Sequence, residues 1–280
     1  MHVAIHSWSL RERFDGDTSF DIFKALDQAA ERGFSSMEVL TGGAGSPPSH
    51  IKHDTVAGLG KVVAHARDRG VPVHCYSTYC DFAFVKDEEW RLANIEYIKT
   101  WLRLAGDTGV PNIRMLTGND VKGEDRARLE ELTLRGIEEC IPVAEEAGVN
   151  MAIENHNSLF LAGTEIVSLI ERFGSQRLTA CPDPSNGYPL FSPDCTAKDR
   201  EAMYANLETL APHATNSHLK VAGAALPEWD LDRLVDIYVR AGYNGPITLE
   251  WIGQGELWPQ LAGARETLDA ALARHGVLDA

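Results

Sequence analysis

Four side chains that bind hard metal ions recur at a regular spacing in the second half of the chain. Each lies about 30 residues from the next, roughly one strand-plus-helix unit, and they are Glu154, Asp183, His218 and Glu250. At equivalent heights on neighbouring strands they would meet on one side of a parallel sheet. Three carboxylates left unneutralised there would repel one another and raise one another's pKa. The pattern therefore predicts a divalent metal site, and a metal-free acid–base cluster is the alternative.

The donor set indicates which ion and which chemistry to expect. Three carboxylates and one imidazole favour Mn²⁺, and Mg²⁺, Co²⁺ or Zn²⁺ are also compatible. Four protein ligands on a six-coordinate ion leave two positions for water or for neighbouring substrate oxygens. Such an ion could hold a carbonyl and an adjacent hydroxyl and stabilise the enediolate formed when a base removes the α-proton. Reprotonation would give an isomer or epimer, and loss of a β-leaving group would make the protein a dehydratase or lyase.

A repeated pattern reveals the elements that must position these residues. A helix-like run ends at a glycine and a β-rich segment follows at once, at Gly33, Gly70, Gly109, Gly148 and Gly242. Glycine just past a helix end adopts the left-handed conformation without a Cβ clash. A helical solenoid can show a similar period, but it lacks the alternating strand segment found here. We predict eight strands, at 2–8, 35–40, 72–78, 112–117, 149–156, 178–183, 214–221 and 246–252, with helices such as 87–108 and 124–147 between them.

Side-chain alternation favours a closed sheet over an open one. In the fifth predicted strand Met151 and Ile153 would face outward, whereas Glu154 and His156 would face inward. An open parallel sheet is buried on both faces and reads as nearly continuous apolar strands. Here the polar residues occupy alternate positions of the strands and lie near the carboxyl ends. This arrangement is typical of a barrel whose active site lies at the carboxyl ends of the strands. The sequence therefore predicts one (β/α)₈ barrel domain over residues 1–280.

Alternation also assigns further side chains to the barrel mouth. We expect four of them to contact substrate opposite the metal, namely His6, Trp8, His74 and Tyr76. Arg114 could bind substrate hydroxyls or neutralise Glu38, which we interpret as structural. Lys220 could bind an oxyanion or a substrate carboxylate, or it could pair with an inward acid. His156, one step nearer solvent than Glu154, is a candidate for a dedicated base, or it could bond to a loop carbonyl.

Composition excludes several classes of partner. A net charge of −15 spread along the chain disfavours nucleic acid and anionic membranes. Five cysteines without a C-x-x-C pair suit a reducing compartment. The sequence shows neither a signal peptide nor the roughly 20 apolar residues that span a membrane. We therefore expect a cytoplasmic protein that acts on a small carbohydrate or cyclitol, and a homo-oligomer is compatible with the sequence.

With these residues in place, the chain resembles the xylose isomerase-like TIM barrel superfamily, which includes sugar epimerases, inosose dehydratases and endonuclease IV. The resemblance covers nearly the whole chain and is carried by residues 33–39, 152–156, 183–186, 218–220 and 247–250. In the ketose 3-epimerase branch, the glutamates matching Glu154 and Glu250 bind the metal and exchange protons on opposite faces of the substrate. Asn186 stands where those epimerases usually carry a substrate-binding His, so the resemblance implies substrate binding by Asn186.

Three functions follow from these observations. A metal-dependent sugar isomerase or epimerase leads. A dehydratase or lyase acting on a keto-sugar, a 3-keto-glycoside or a keto-cyclitol is the alternative, favoured by a separate base at His156 and by Asn186. A non-catalytic carbohydrate-binding or regulatory barrel is the third. The nuclease activity is disfavoured because it needs a larger His/Asp cluster and a surface compatible with DNA.

Overall fold

Eight parallel strands form the centre of the molecule in the computed structural model, which describes residues 1–43, 48–52, 54–156 and 159–278. The strands are β1 (His2–His6), β2 (Met37–Gly43), β3 (Val73–Tyr79), β4 (Asn112–Met115), β5 (Asn150–Glu154), β6 (Leu178–Cys181), β7 (His218–Val221) and β8 (Pro246–Trp251). Each lies within or beside one of the eight predicted segments, so the predicted strands are confirmed.

The strands pair in the order β6-β5-β4-β3-β2-β1-β8-β7. β1 pairs with β8 from His2↔Pro246 to Ile5↔Leu249, which joins the first strand to the last. Between β6 and β7 the described residues share one isolated bridge, Ala180↔Ala214. Two backbone hydrogen bonds support this seam, Thr215 N–H to the Ala180 carbonyl at 3.1 Å and His218 N–H to the Pro182 carbonyl at 2.9 Å. The predicted (β/α)₈ barrel is thereby confirmed.

Helices follow every strand. They are α1 (Arg11–Gly16), α2 (Ile22–Glu31), α3 (Val56–Asp68), α4 (Glu88–Thr108), α5 (Arg126–Ala147), α6 (Gly163–Phe173), α7 (Ala197–Leu210), α8 (Leu231–Arg240) and α9 (Leu257–Arg274), with short 3₁₀ turns at Ser7–Leu10 and Ala211–His213. The Asp87 side chain accepts a hydrogen bond from Trp90 N–H and begins α4. Gly109 and Gly148 end α4 and α5 with φ of 71° and 70°, the left-handed conformation expected there.

The apolar core and the polar interior separate by strand parity. Ile113, Ile153 and Leu249 are fully buried and belong to one hydrophobic cluster. By contrast, Glu38 and Glu154 are equally buried but make polar contacts with other strands. The barrel interior is therefore lined with charged groups, as the alternation predicted.

Among the described residues, no helix has the length and apolarity needed to span a membrane.

A β-bulge in β3 changes which side chains of this strand face the barrel interior, and it affects the prediction for Tyr76. Met37 pairs with Val73, but Glu38 pairs with Cys75, so His74 is an extra residue in β3. The Tyr76 ring consequently packs 5.1 Å from Trp101 on α4, centroid to centroid. Its hydroxyl lies 3.2 Å from the Thr108 hydroxyl on the same helix. The prediction that Tyr76 faces the barrel mouth is wrong.

Candidate functional site

The structure places the four predicted metal ligands on or beside four successive strands, three of them at the carboxyl ends. Glu154 ends β5, Asp183 follows β6, His218 begins β7 and Glu250 lies near the end of β8. One ligand atom from each of Glu154, Asp183 and His218 lies within 4.8 Å of the other two, and all three residues are buried. Glu250 is not part of this group among the described residues. Its carboxylate Oε2 lies 3.8 Å from the ammonium of Lys220.

Local hydrogen bonds fix the position of Asp183. Ser185 donates to Asp183 Oδ1 from its backbone N–H at 3.1 Å and from its hydroxyl at 2.8 Å, which forms an Asx turn. The Asn155 side chain accepts from Asp183 N–H at 2.7 Å and donates to the Asp183 carbonyl at 2.9 Å. The ends of β5 and β6 are thereby tied together. The Asp-Pro-Ser sequence was a signal for this turn, whereas the partnership with Asn155 had none.

Glu154 pairs with Arg114, a residue on the neighbouring strand β4. The guanidinium contacts Glu154 Oε2, and Asn186 donates to Oε1 at 3.0 Å. Arg114 also donates to the Thr78 carbonyl at 3.0 Å, and its guanidinium carbon lies 4.5 Å from the centroid of the Tyr79 ring. Arg114 thus pairs with Glu154 among the described residues, and the charge of Glu38, proposed as its partner, interacts with it more weakly. Tyr79 is a residue at the site that the predicted parity missed.

Lys220 is a second cation inside the cluster. Its Nζ donates to Asp183 Oδ2 and to Asn186 Oδ1, both at 2.5 Å. Burial by itself would lower the pKa of Lys220, but the charges of Asp183, Glu250 and Glu154 outweigh burial and raise it. Lys220 therefore stays charged and pairs with an inward acid, one of the two roles foreseen for it. Arg114 and Lys220 together offset two of the three carboxylate charges, so the repulsion expected from the sequence is smaller than predicted.

His218 places its Nδ1 within the group. Burial by itself would lower the pKa of His218, but Cys181, Glu38 and Glu154 outweigh burial and raise it, so an ion at Nδ1 would take the place of a proton. Its Nε2 lies 3.0 Å from Glu38 Oε2, whereas its buried Nδ1 lies 3.5 Å from Glu154 Oε1 without a hydrogen-bond partner among the described residues. A carboxylate behind the outer nitrogen of a histidine is typical of metal-binding histidines. The residues present therefore fit a divalent cation held by Glu154, Asp183 and His218 Nδ1.

Glu38, interpreted from the sequence as structural, has partners that the sequence did not indicate. It is fully buried, and Asn216 donates to its Oε2 at 2.6 Å. Burial alone would raise the pKa of Glu38, but His218 and His6 outweigh burial and hold it well below its usual value. His6 Nε2 lies 3.3 Å from Glu38 Oε1, and His74 Nε2 lies 3.9 Å from Glu38 Oε2. His6 and His74 thus face inward as predicted, but they surround Glu38 instead of lining the mouth opposite the metal ligands.

Two further predicted residues lie at the ends of strands. The His156 ring makes an edge-on contact with Tyr79 at 6.4 Å between centroids, and burial lowers its pKa. Trp8 was predicted within β1, but β1 ends at His6 and Trp8 lies half-buried in the following 3₁₀ turn. The Arg11 guanidinium carbon is 5.1 Å from the centroid of the Trp8 ring.

Comparison with solved structures finds the same fold in two sugar epimerases and in a magnesium-bound protein. A D-psicose 3-epimerase solved with D-fructose is 17% identical with a TM-score of 0.71 over 99% of both chains. A 3-keto-D-glucoside 4-epimerase from E. coli is 14% identical with a TM-score of 0.70, over 98% of this chain and 99% of that one. A xylose isomerase-like TIM barrel protein from Mycobacterium smegmatis in complex with magnesium is 15% identical with a TM-score of 0.65, over 90% of this chain and 87% of that one. At these identities the likeness shows the shared fold.

A family model gives the assignment that these identities do not. No curated protein matches the chain. The model described as xylose isomerase-like TIM barrel matches residues 26–274, which include every strand after β1 and all four predicted ligands. The predicted resemblance is confirmed, and the chain belongs to the xylose isomerase-like TIM barrel family.

Proposed function

We propose that this protein is a divalent-metal-dependent sugar isomerase or epimerase that removes a proton next to a carbonyl and proceeds through an enediolate. The observation that carries the proposal is the buried group of Glu154, Asp183 and His218, whose ligand atoms lie within 4.8 Å of one another. Two of its members, Glu154 and Asp183, lie at the carboxyl ends of their strands, where barrels of this kind build active sites.

The chain's own residues define where the ion would be held. Glu154, Asp183 and the Nδ1 of His218 supply two carboxylates and one imidazole, a set that favours Mn²⁺ and accepts Mg²⁺, Co²⁺ or Zn²⁺. Glu250 is the fourth proposed ligand, which would need Lys220 to move from between it and Asp183. When bound, the ion supplies Lewis-acid polarisation of the substrate carbonyl.

The contacts distinguish the two glutamates. Glu154 is held by Arg114 and Asn186, so it is anchored as a ligand. Glu250 is 9% exposed, and the cation nearest to it is Lys220 at 3.8 Å. We therefore assign proton removal to Glu250. Lys220 is placed to bind an oxygen of the substrate, and Asn186 and Arg114 fix the carboxylate of Glu154.

The relatives of the same fold suggest the substrate class. Two of those compared above are described as epimerases of D-psicose and of a 3-keto-D-glucoside. Both compounds carry a carbonyl beside a hydroxyl-bearing carbon, which is the arrangement that proton removal requires. We propose a ketose or a keto-glycoside as substrate.

The test is solvent deuterium exchange. The protein is incubated in D₂O with Mn²⁺ and a panel of D-psicose, D-tagatose, L-ribulose and a 3-keto-D-glucoside, and products are followed by NMR and mass spectrometry. We expect deuterium uptake at the carbon next to the carbonyl, abolished by EDTA. Glu250→Gln at saturating Mn²⁺ should lower the rate about 100-fold or more, because a positioned base contributes about 10²–10⁴-fold. The matched control is Glu89→Gln, an exposed residue of α4.

Three outcomes would contradict this assignment. Unchanged turnover in Glu250→Gln would remove Glu250 as the base, and severe loss in His156→Asn would make His156 the base. Release of water or of an aglycone in place of exchange would make the protein a lyase.

A further inference from the structure

We propose that Glu38 is a positioning residue that holds the His218 ring so that Nδ1 faces Glu154 and Asp183. This inference rests on the metal site of the proposed function. It concerns a buried carboxylate on β2, which reaches across the barrel to β7.

A hydrogen bond joins Glu38 and His218. His218 Nε2 lies 3.0 Å from Glu38 Oε2. An ionised carboxylate only accepts hydrogen bonds, so the Nε2 nitrogen carries the proton. With a proton fixed on Nε2, the lone pair of a neutral His218 ring lies on Nδ1, which faces Glu154 Oε1 at 3.5 Å.

The Glu38 carboxylate is itself held by neighbouring side chains. Asn216 donates to Glu38 Oε2 at 2.6 Å, and Asn216 lies two residues before His218 on the same side of the chain. On the other oxygen, His6 Nε2 lies 3.3 Å from Oε1. Trp8 N–H donates to His6 Nδ1 at 2.8 Å, so the proton of a neutral His6 ring is on Nε2, which lies 2.9 Å from the Ser77 hydroxyl. The Asn216 donor before β7 thus fixes Oε2, whereas Oε1 lies near His6 without a hydrogen-bond partner among the described residues.

Packing also holds the His218 ring. The His6 ring meets it edge-on, with centroids 5.2 Å apart and an interplanar angle of 89°. Glu38, His6 and His218 are each no more than 2% exposed. A ring bonded at Nε2 and packed on its side in a dry interior cannot turn without breaking its hydrogen bond to the buried Glu38 carboxylate, which is costly.

The experiment separates positioning from general structural support. Mn²⁺ binding to the full chain is measured by calorimetry for wild type, Glu38→Gln and Glu38→Asp, beside the control Asp81→Asn. Asp81 is also a buried carboxylate, but it binds Asn119 and the Ala83 N–H, away from the ligands. We expect Glu38→Gln to weaken Mn²⁺ binding about 10–100-fold. Glu38→Asp, which keeps the charge, should lose less, and Asp81→Asn should bind Mn²⁺ like wild type even if it unfolds at a lower temperature.

A second readout does not need metal or turnover. In the ¹⁵N-histidine spectrum of the metal-free protein, the Nε2 proton of His218 should be protected from exchange and shifted to low field. Glu38→Gln should move it to higher field, and Glu38→Asp provides the comparison if the Gln variant does not fold. If wild type fails to bind Mn²⁺, the metal proposal fails, and this spectrum still decides the role of Glu38.

Two results would overturn the positioning role of Glu38. Mn²⁺ affinity within twofold of wild type in Glu38→Gln, with an unchanged Nε2 proton, would show that Glu38 does not position His218. Two Mn²⁺ ions per chain, one of them lost in Glu38→Gln, would make Glu38 a ligand of a second ion with His6 and His218, because their ligand atoms also lie within 4.8 Å of one another.

Discussion

Two internal cations change the electrostatic character of the candidate site. Arg114 pairs with Glu154, and Lys220 pairs with Asp183. Buried ion pairs of this kind are costly to break, because removal of one partner strands a charge in the interior. The protein therefore need not bind a metal to relieve repulsion among its carboxylates. A metal at Asp183 would instead compete with the ammonium of Lys220.

Replacement of Lys220 by methionine tests this competition. We expect Lys220→Met to lower the free energy of unfolding of the metal-free protein by about 3 kcal/mol, because Asp183 loses its partner in a buried pair. Mn²⁺ should bind about tenfold more tightly, or about 1.4 kcal/mol more favourably, since no ammonium has to be displaced. Urea unfolding and titration calorimetry measure the two effects.

The matched control is Lys61→Met, an exposed lysine on α3 that should change neither quantity. Weaker Mn²⁺ binding in Lys220→Met would show that Lys220 supports the metal site instead of competing for it.

At the scale of elements, the bulge in β3 decides which side chains reach the site. Beyond His74, the residues Cys75, Ser77 and Tyr79 take the inward positions. Ser77 lies 2.9 Å from His6 Nε2, and the Tyr79 ring lies under Arg114. Because of the extra residue, Tyr79 faces the barrel mouth and Tyr76 does not.

Two tyrosine variants separate the inward and outward positions. Tyr79→Leu should lower kcat/KM about tenfold or more, because the guanidinium that orients Glu154 loses a cation–π contact. Tyr76→Leu should leave kcat/KM unchanged but lower the free energy of unfolding by about 2 kcal/mol, since it leaves a cavity against α4. Steady-state kinetics on the active ketose and thermal unfolding provide the measurements. The reverse pattern would restore the parity predicted from the sequence.

These details show where sequence reasoning reached its limit. The repeat of strand, helix and glycine predicted the barrel, because each signal is local to one unit. Glu154, Asp183 and His218 were predictable because each lies about one strand-plus-helix unit from the next. The partner of Arg114 was not, because Arg114 is in register with Ala152 and reaches two residues further along β5. Such pairings depend on the stagger of a closed barrel, as does the reach of Glu38 across it.

At the scale of the whole molecule, closure of the barrel is uneven. Seven strand-to-strand contacts are hydrogen-bonded ladders, whereas among the described residues β6 is joined to the segment before β7 by the single bridge Ala180↔Ala214. Asp183 lies just beyond β6, on one side of this seam, and His218 begins β7 on the other. An ion that bound both residues would join the two sides.

That seam gives the metal a consequence for local opening. Amide protons of Thr215 and His218, which bond across the seam, should exchange with solvent sooner than those of the β1–β8 ladder in the metal-free protein. Mn²⁺ should slow exchange selectively in peptides covering 178–183 and 212–218 and leave residues 2–6 and 246–249 unchanged, as followed by hydrogen–deuterium exchange mass spectrometry. Equal protection throughout the barrel would mean that the ion stabilises the whole fold and not the seam between β6 and β7 in particular. Selective protection would make the ion a clasp that closes the ring of strands at its weakest point.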